Sequence, residues 1–197
     1  MMKKKYVVQS IIILTTIFLN ACNNNFGTTP TPSGVSVISF KENFDALQEE
    51  ARTWQNDTYL AWAQIPLRME DSGDSVVIAA EFYSPNIEFE SLGVELSLDG
   101  SITSEPVKYE VSIFQREPIA LSDWELDSGE ALDIMLDKEG MDFLKSNKTQ
   151  CSFLMLERDL SMVGQPVVWR LTLMDCLGSY VRQILIDPIS GEFLEND

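Results

Sequence analysis

The chain has no histidine. That absence removes the commonest general base, the commonest metal ligand and every Ser-His or Cys-His nucleophile pair. Positive side chains are scarce: 14 lysines and arginines face 31 aspartates and glutamates, a formal net charge of −17 over 197 residues. Such a surface repels nucleic-acid phosphates and anionic headgroups, so no nucleic-acid partner is expected, and it attracts cations or a basic partner. The sequence has no phosphate-cradling glycine loop, no Cys-x-x-Cys pair and no nucleophile elbow. No cofactor is expected.

What is present reads as globular. Hydrophobic residues make up 45% and aromatics 10%, with four tryptophans, enough for one domain or two small ones.

The first residues, MMKKKYVVQSIIILTTIFLNAC, have a basic start, an apolar stretch from Ile11 to Leu19 and a small residue before Cys22. This is signal-peptide anatomy, and the apolar part is well short of the roughly 20 residues a spanning helix needs. Leu19-Asn20-Ala21-Cys22 resembles the bacterial lipoprotein signal, in which cleavage precedes a cysteine that receives a diacylglycerol. Asn20 departs from the small or aliphatic residue usual there. The competing readings are a secretory leader with an incidental cysteine and an uncleaved anchor. On the first reading residues 1–21 are removed, taking Lys3, Lys4 and Lys5 and leaving 31 acids against 11 bases, a net charge of −20. Residues 22–38 are then the lipidated Cys22 and a polar tether rich in Asn, Thr, Pro and Gly. Each buried acyl methylene contributes about 0.8 kcal/mol, so two or three chains, palmitate among them, anchor almost permanently. Asn23 after the cysteine resembles an outer-membrane rather than inner-membrane address in a Gram-negative host. The expected location is therefore extracytoplasmic, on the outer leaflet of the cytoplasmic membrane or on the outer membrane.

Two cysteines remain. Cys151 begins one apolar run and Cys176 ends the next, so a hairpin centred near residue 163 places them about opposite. Either they are bonded, worth roughly 3 kcal/mol by loop entropy, or they are two buried thiols.

Beyond the tether, Phe40, Phe44, Leu47, Ala51 and Trp54 recur at helical period, and Ser39 with Glu42 has capping-box spacing. Three alternating runs follow, carrying Tyr59, Ala61, Ala63, Ile65 and Leu67; then Val76, Ile78, Ala80 and Phe82; then Leu92, Val94, Leu96 and Leu98. Such alternation predicts half-buried strands with one solvated face. The plan then recurs. Asp127 and Glu130 have capping-box spacing before an apolar face of Ala131, Ile134 and Met135, with Gly140 as the expected stop and a short helical turn at Met141–Leu144. Three more strand-like runs follow. Asp99 lies 60 residues after Ser39, and Asp187 lies 60 after Asp127. The expected architecture is α+β with two repeated units, 39–118 and 119–197, each a helix packed on an antiparallel three- to four-stranded sheet. Between them Val107, Tyr109, Val111 and Ile113 alternate, bounded by Pro106 and Pro118, which suits an edge strand.

Candidate chemistry is thin. Asp123, Glu125 and Asp127 put three carboxylates on one side of an extended segment, but Asp127 is better read as a helix cap and a solvated face accounts for the others. Glu70-Asp71-Ser72-Gly73-Asp74 lacks the length and closing glutamate of a calcium loop and reads as a hairpin turn. Trp62, Tyr83, Trp124 and Trp169 either pack the core or line a groove, with Trp62 and Trp169 the candidates for partner binding. Asp99-Gly100 and Asp187 with Gly191 read as turns in which the aspartate ties the backbone and the glycine permits reversal.

The C-terminal unit resembles the PepSY-like domains of bacterial envelope proteins, which share a cystatin-like arrangement. The matching residues are the Glu130–Leu132 helix start, the Val167–Leu173 strand and the closing Ile184–Leu194, in which a hydrophobic strand meets an aspartate, a short turn and a glycine. About 70 residues are covered, and the N-terminal unit resembles the family more weakly. The resemblance implies a non-catalytic domain that binds or restrains a partner such as a secreted peptidase, and it supplies no catalytic residues. These 197 residues include no peptidase domain, a departure from that common setting. The function expected is thus a non-catalytic envelope lipoprotein; the alternatives are a structural subunit of an envelope assembly and a carboxylate-dependent hydrolase. Replacing Cys22 by Ser is expected to move the protein from the membrane to the soluble fraction, and unchanged fractionation would refute the anchor.

Overall fold

The computed structural model describes residues 28–30, 35–69, 77–109, 117–146, 151–177 and 181–194. Cys22, the Glu70–Asp74 segment, Val76, Val111 and Ile113 lie outside them.

Helix α1 runs from Phe40 to Trp54, with Ser39 Oγ accepting from the Glu42 amide at 3.1 Å. Its stripe of Phe40, Phe44, Leu47 and Ala51 is buried and Trp54 packs on the core's rim. Each such large side chain contributes about 1.5–3 kcal/mol on burial. The strands are β1 (Thr28–Pro30), β2 (Val35–Ile38), β3 (Tyr59–Pro66), β4 (Arg68–Met69), β5 (Val77–Tyr83), β6 (Glu90–Ser97), β7 (Ile102–Lys108), β8 (Phe153–Arg158), β9 (Val167–Met174) and β10 (Val181–Ile186). Helices α2 (Ser128–Met135) and α3 (Lys138–Ser146) precede β8.

The fold class is α+β, with seven strands in one antiparallel sheet of order β10-β9-β8-β3-β5-β6-β7. β3, β5 and β6 make one meander and β8, β9 and β10 another, and they join where β3 pairs antiparallel with β8, Ala63 opposite Leu156. The strands of both halves thus share one sheet and one core, where the sequence pattern suggested a sheet for each. The core lies on the helix face, where Leu154, Leu156, Trp169 and Leu171 meet Ile78, Phe82, Val94 and the stripe of α1. β7 is the outer strand, as expected of this region, but it runs from Ile102 to Lys108 and holds Pro106 inside it rather than starting after it; on an outer strand the missing N–H is tolerated.

Four further local expectations change. Residues 35–38, counted with the tether, form β2, and Val35, Val37 and Ile38 are buried. Their apolar side chains outweigh the polar composition around them, and β2 pairs with β1 and β4 in a small second sheet. In β3 the register slips between Leu60 and Trp62, a bulge. It sends Leu60 into the core and leaves Tyr59 beside the ring of Tyr83, at 6.2 Å between centroids, so Tyr59 does not share a face with Ala63. The second helix stops at Met135, and Gly140 lies inside α3, its amide donating to Asp137 Oδ1 at 2.8 Å. A Cβ on Gly140 would stand 3.2 Å from both Leu136 and Leu173, so the glycine lets α3 approach β9 rather than ending a helix. Ile134 is 39% exposed, and Leu132 takes the inward place instead.

The two helix starts are locked together. Phe40 N donates to Ser128 Oγ at 3.0 Å and Lys41 N to Asp127 Oδ1 at 2.9 Å, so two of α1's free amides are satisfied by the beginning of α2. Ser128 Oγ in turn donates to Ile38 O at 2.7 Å, and Glu130 accepts from the Asp127 amide at 2.9 Å. Trp124 is buried against Phe40 and Phe44, at centroid distances of 5.4 and 5.9 Å. Replacing Ser128 by Ala strands one buried donor and one buried acceptor, so a loss of about 2 kcal/mol is expected in urea unfolding. A change under about 0.5 kcal/mol, the scale of an ordinary surface substitution, would show that the lock carries little of the stability.

Candidate functional site

Opposite the helices, alternation places a second set of side chains on the open face. Register brings Trp62 beside Glu81, Glu81 beside Gly93 and Gly93 beside Glu105, in one row across β3, β5, β6 and β7. The next row holds Gln64, Ala79, Glu95 and Thr103. All of these except Gln64, together with Val107 and Tyr109, line a cleft of about 430 Å3. That lies within the roughly 300–1,000 Å3 of small-molecule sites. Its floor is low because Ala79 and Gly93 are small, and a Cβ on Gly93 would come within 3.6 Å of Val107 and fill part of it.

Glu81 is the centre. It is only 7% exposed, and its carboxylate accepts from three neutral donors: Trp62 Nε1, Tyr109 Oη and Ser91 Oγ, the last at 2.6 Å. Burial, and next the hydrogen bond to Glu81, hold the Tyr109 hydroxyl above the ordinary phenol value, so it stays a donor at neutral pH. No lysine or arginine is among the lining residues, and Glu81 has no ion pair among the described residues. On the other half of the same face Arg170 is already engaged, by Glu157 at 2.6 Å and Asp159 at 2.9 Å.

The residues singled out from the sequence separate. Trp62 is half-buried and forms a wall of the cleft. Trp169 does not reach the open face: it is fully buried under Phe40, and its Nε1 donates to Leu126 O at 3.0 Å. Trp124 is likewise core, and Tyr83 is buried. The carboxylates of Asp123, Glu125 and Asp127 do not converge, since Asp123 accepts from Ala120 N and Asp127 from Lys41 N. Among the described residues no group of three acids or cysteines is placed to hold a metal ion. Cys151 and Cys176 form a disulfide, Cα atoms 5.0 Å apart, at the open end of the β8–β9 hairpin.

Both predicted turns are turns. Asp99 accepts from Ser101 N at 3.0 Å, and Gly100 has φ +84°. Asp187 Oδ1 accepts from Ile189 N and Ser190 N, and Gly191 has φ +75° with its would-be Cβ 2.9 Å from Ile134. The second turn also reaches outward, because Pro188 O accepts from the amides of Glu125 and Leu126 at 2.9 Å. Glu81 and Tyr109 were not singled out as site residues; the available signal was a lone acid inside the apolar run VVIAAEFY.

No protein-family model matches the chain, and no curated protein matches it in sequence. The fold has a counterpart in a crystal structure described as a "putative lipoprotein" from Clostridium difficile 630. The likeness covers 77% of this chain and 89% of that one, with a TM-score of 0.50 and 13% identity, and is a likeness of fold. No helix among the described residues is long and apolar enough to cross a membrane.

The Ser190 and Ile189 amides hold Asp187 below its ordinary value of 3.8, against partial desolvation. A depressed folded-state value gives stability that is present above the unfolded pKa and lost as pH falls through the folded one. Asp187→Ala is therefore expected to cost about 1 kcal/mol at pH 7. The gap between variant and parent should begin to narrow below about pH 4 and close only once pH falls below the depressed folded value; a gap independent of pH would overturn this role for the carboxylate.

Proposed function

We propose that this protein is a lipid-anchored extracytoplasmic binding protein, without catalytic activity, that engages or restrains a protein partner through the open face of its sheet. The observation that carries the reading is the cleft walled by Trp62 and Tyr109 over Glu81. It combines partly exposed aromatic surface, a small-residue floor and fixed polar groups, which is the composition of a recognition site. The two helix-then-three-strand segments are PepSY-like units fused along β3 and β8. Cleavage before Cys22 and its acylation supply the anchor; the leader's anatomy and the description of the fold's counterpart as a putative lipoprotein support this.

A hydrolase using carboxylates has one observation in its favour, since Glu81, Glu95 and Glu105 line one cleft. The Glu81 carboxylate, however, already accepts from three internal donors, which suits a group held in the wall of the cleft rather than one placed to contact a reacting atom. A photo-crosslinking residue at Thr103 is expected to give a specific protein adduct in the membrane fraction, while one at Glu49 on the exposed side of α1 gives none. Equal patterns from the two positions, or turnover abolished by Glu81→Gln, would overturn the binding role.

A further inference from the structure

Among the described residues, the buried carboxylate of the cleft has no positive partner. Glu81 is more than nine-tenths buried, and a carboxylate so placed ordinarily pairs with a cation. Trp62, Ser91 and Tyr109 fix its orientation and stabilise it, but all three are neutral and leave its charge in place. Glu95 and Glu105 stand exposed beside it, and among the described residues no positive side chain lines the cleft. The field at its mouth therefore favours a positive group, and the chain's excess of acids steers one in.

Building on the binding role above, we infer that the cleft takes a lysine or arginine side chain of the protein partner, its charged head over Glu81 and its aliphatic stem against Trp62, Tyr109 and Val107. The walls decide between kinds of cation. Calcium takes about 6–8 oxygen ligands, whereas here Glu81's oxygens already accept three hydrogen bonds and much of the remaining lining is indole, phenol ring, alanine and valine. Aromatic faces attract ammonium and guanidinium groups, and carbon walls accept their stems. The position in the sheet favours a side chain on a polypeptide over a free amine. The cleft reaches β7, the outer strand, and among the described residues no strand pairs with β7's far side, so an extended chain has a place to lie.

The test uses the full-length chain in detergent and four probes by calorimetry: a capped Gly-Gly-Lys-Gly-Gly peptide, the same peptide with Nε-acetyl-lysine, butylamine and calcium chloride. The lysine peptide should bind at least about 10-fold more tightly than its acetylated form, a difference of about 1.4 kcal/mol. It should also bind more tightly than butylamine, be unaffected by calcium, and lose about 10-fold with Glu81→Gln. A second variant, Glu95→Gln, retains the Glu81 hydrogen bonds and should weaken binding less. Equal binding of the acetylated peptide, an unchanged Glu81→Gln, or no peptide binding at all would sink the inference. Butylamine binding as tightly as the peptide would replace the partner's side chain by a free amine, and displacement by calcium would replace it by a metal; either overturns it. A Thr103 adduct that persists while the lysine preference fails would leave the binding role standing and remove only its cation.

Discussion

The short segment from Trp124 to Ser128 holds the first half of the chain to the second. Its hydroxyl and carboxylate satisfy the opening amides of α1, its tryptophan fills the space beside Phe40 and Phe44, and its amides reach the Pro188 carbonyl at the end of β10. Helix starts carry several amides that no residue of the same helix can satisfy, and burying them unpaired is costly. Here the start of α2 supplies the acceptors for Phe40 N and Lys41 N, so the start of α1 cannot be buried satisfied without it. This requirement brings the start of α1, 86 to 88 residues away in sequence, onto the start of α2. The β3–β8 pairing then continues the sheet across the same junction.

That arrangement puts all the helices on one face and leaves the other to short-range register. Because the core consumes Ile78, Ala80 and Phe82, strand alternation must turn Ala79, Glu81 and Tyr83 the opposite way. An acid in the middle of a central strand is then surrounded by whatever its neighbours present, and here they present three hydrogen-bond donors and a glycine. The bulge at Leu60 and Trp62 contributes to this by resetting which side chains of β3 face outward. The cleft is a consequence of the core's demands on the strands, with small residues keeping it open.

Much of the local structure was legible in the residues. The stripe from Phe40 to Trp54, the alternation in β5 and β6 and the aspartate–glycine turns all rest on contacts between near neighbours, which sequence spacing specifies. Local pattern and structure part where distant chain decides. Gly140 has the composition of a helix stop but serves close approach to Leu173, and Trp169 has the size of a binding aromatic but fills the space beneath Phe40. Val35 to Ile38 sat in polar surroundings, and only the core beneath explains their strand. The candidate site was half legible, since Trp62 was identified while Glu81 and Tyr109 were not: their meeting depends on pairing across β3, β5, β6 and β7.

By itself the sequence determined the acidic balance, the absence of histidine chemistry, the leader pattern at Cys22 and the run of helix and strand periods, because each is a property of composition or of residues a few positions apart. Tertiary structure decided that the strands of both halves make one sheet, which tryptophan walls the cleft and that a glutamate is buried with no cation beside it among the described residues. Those are facts of register and of packing between residues tens of positions apart, and periodicity does not encode which strand lies next to which.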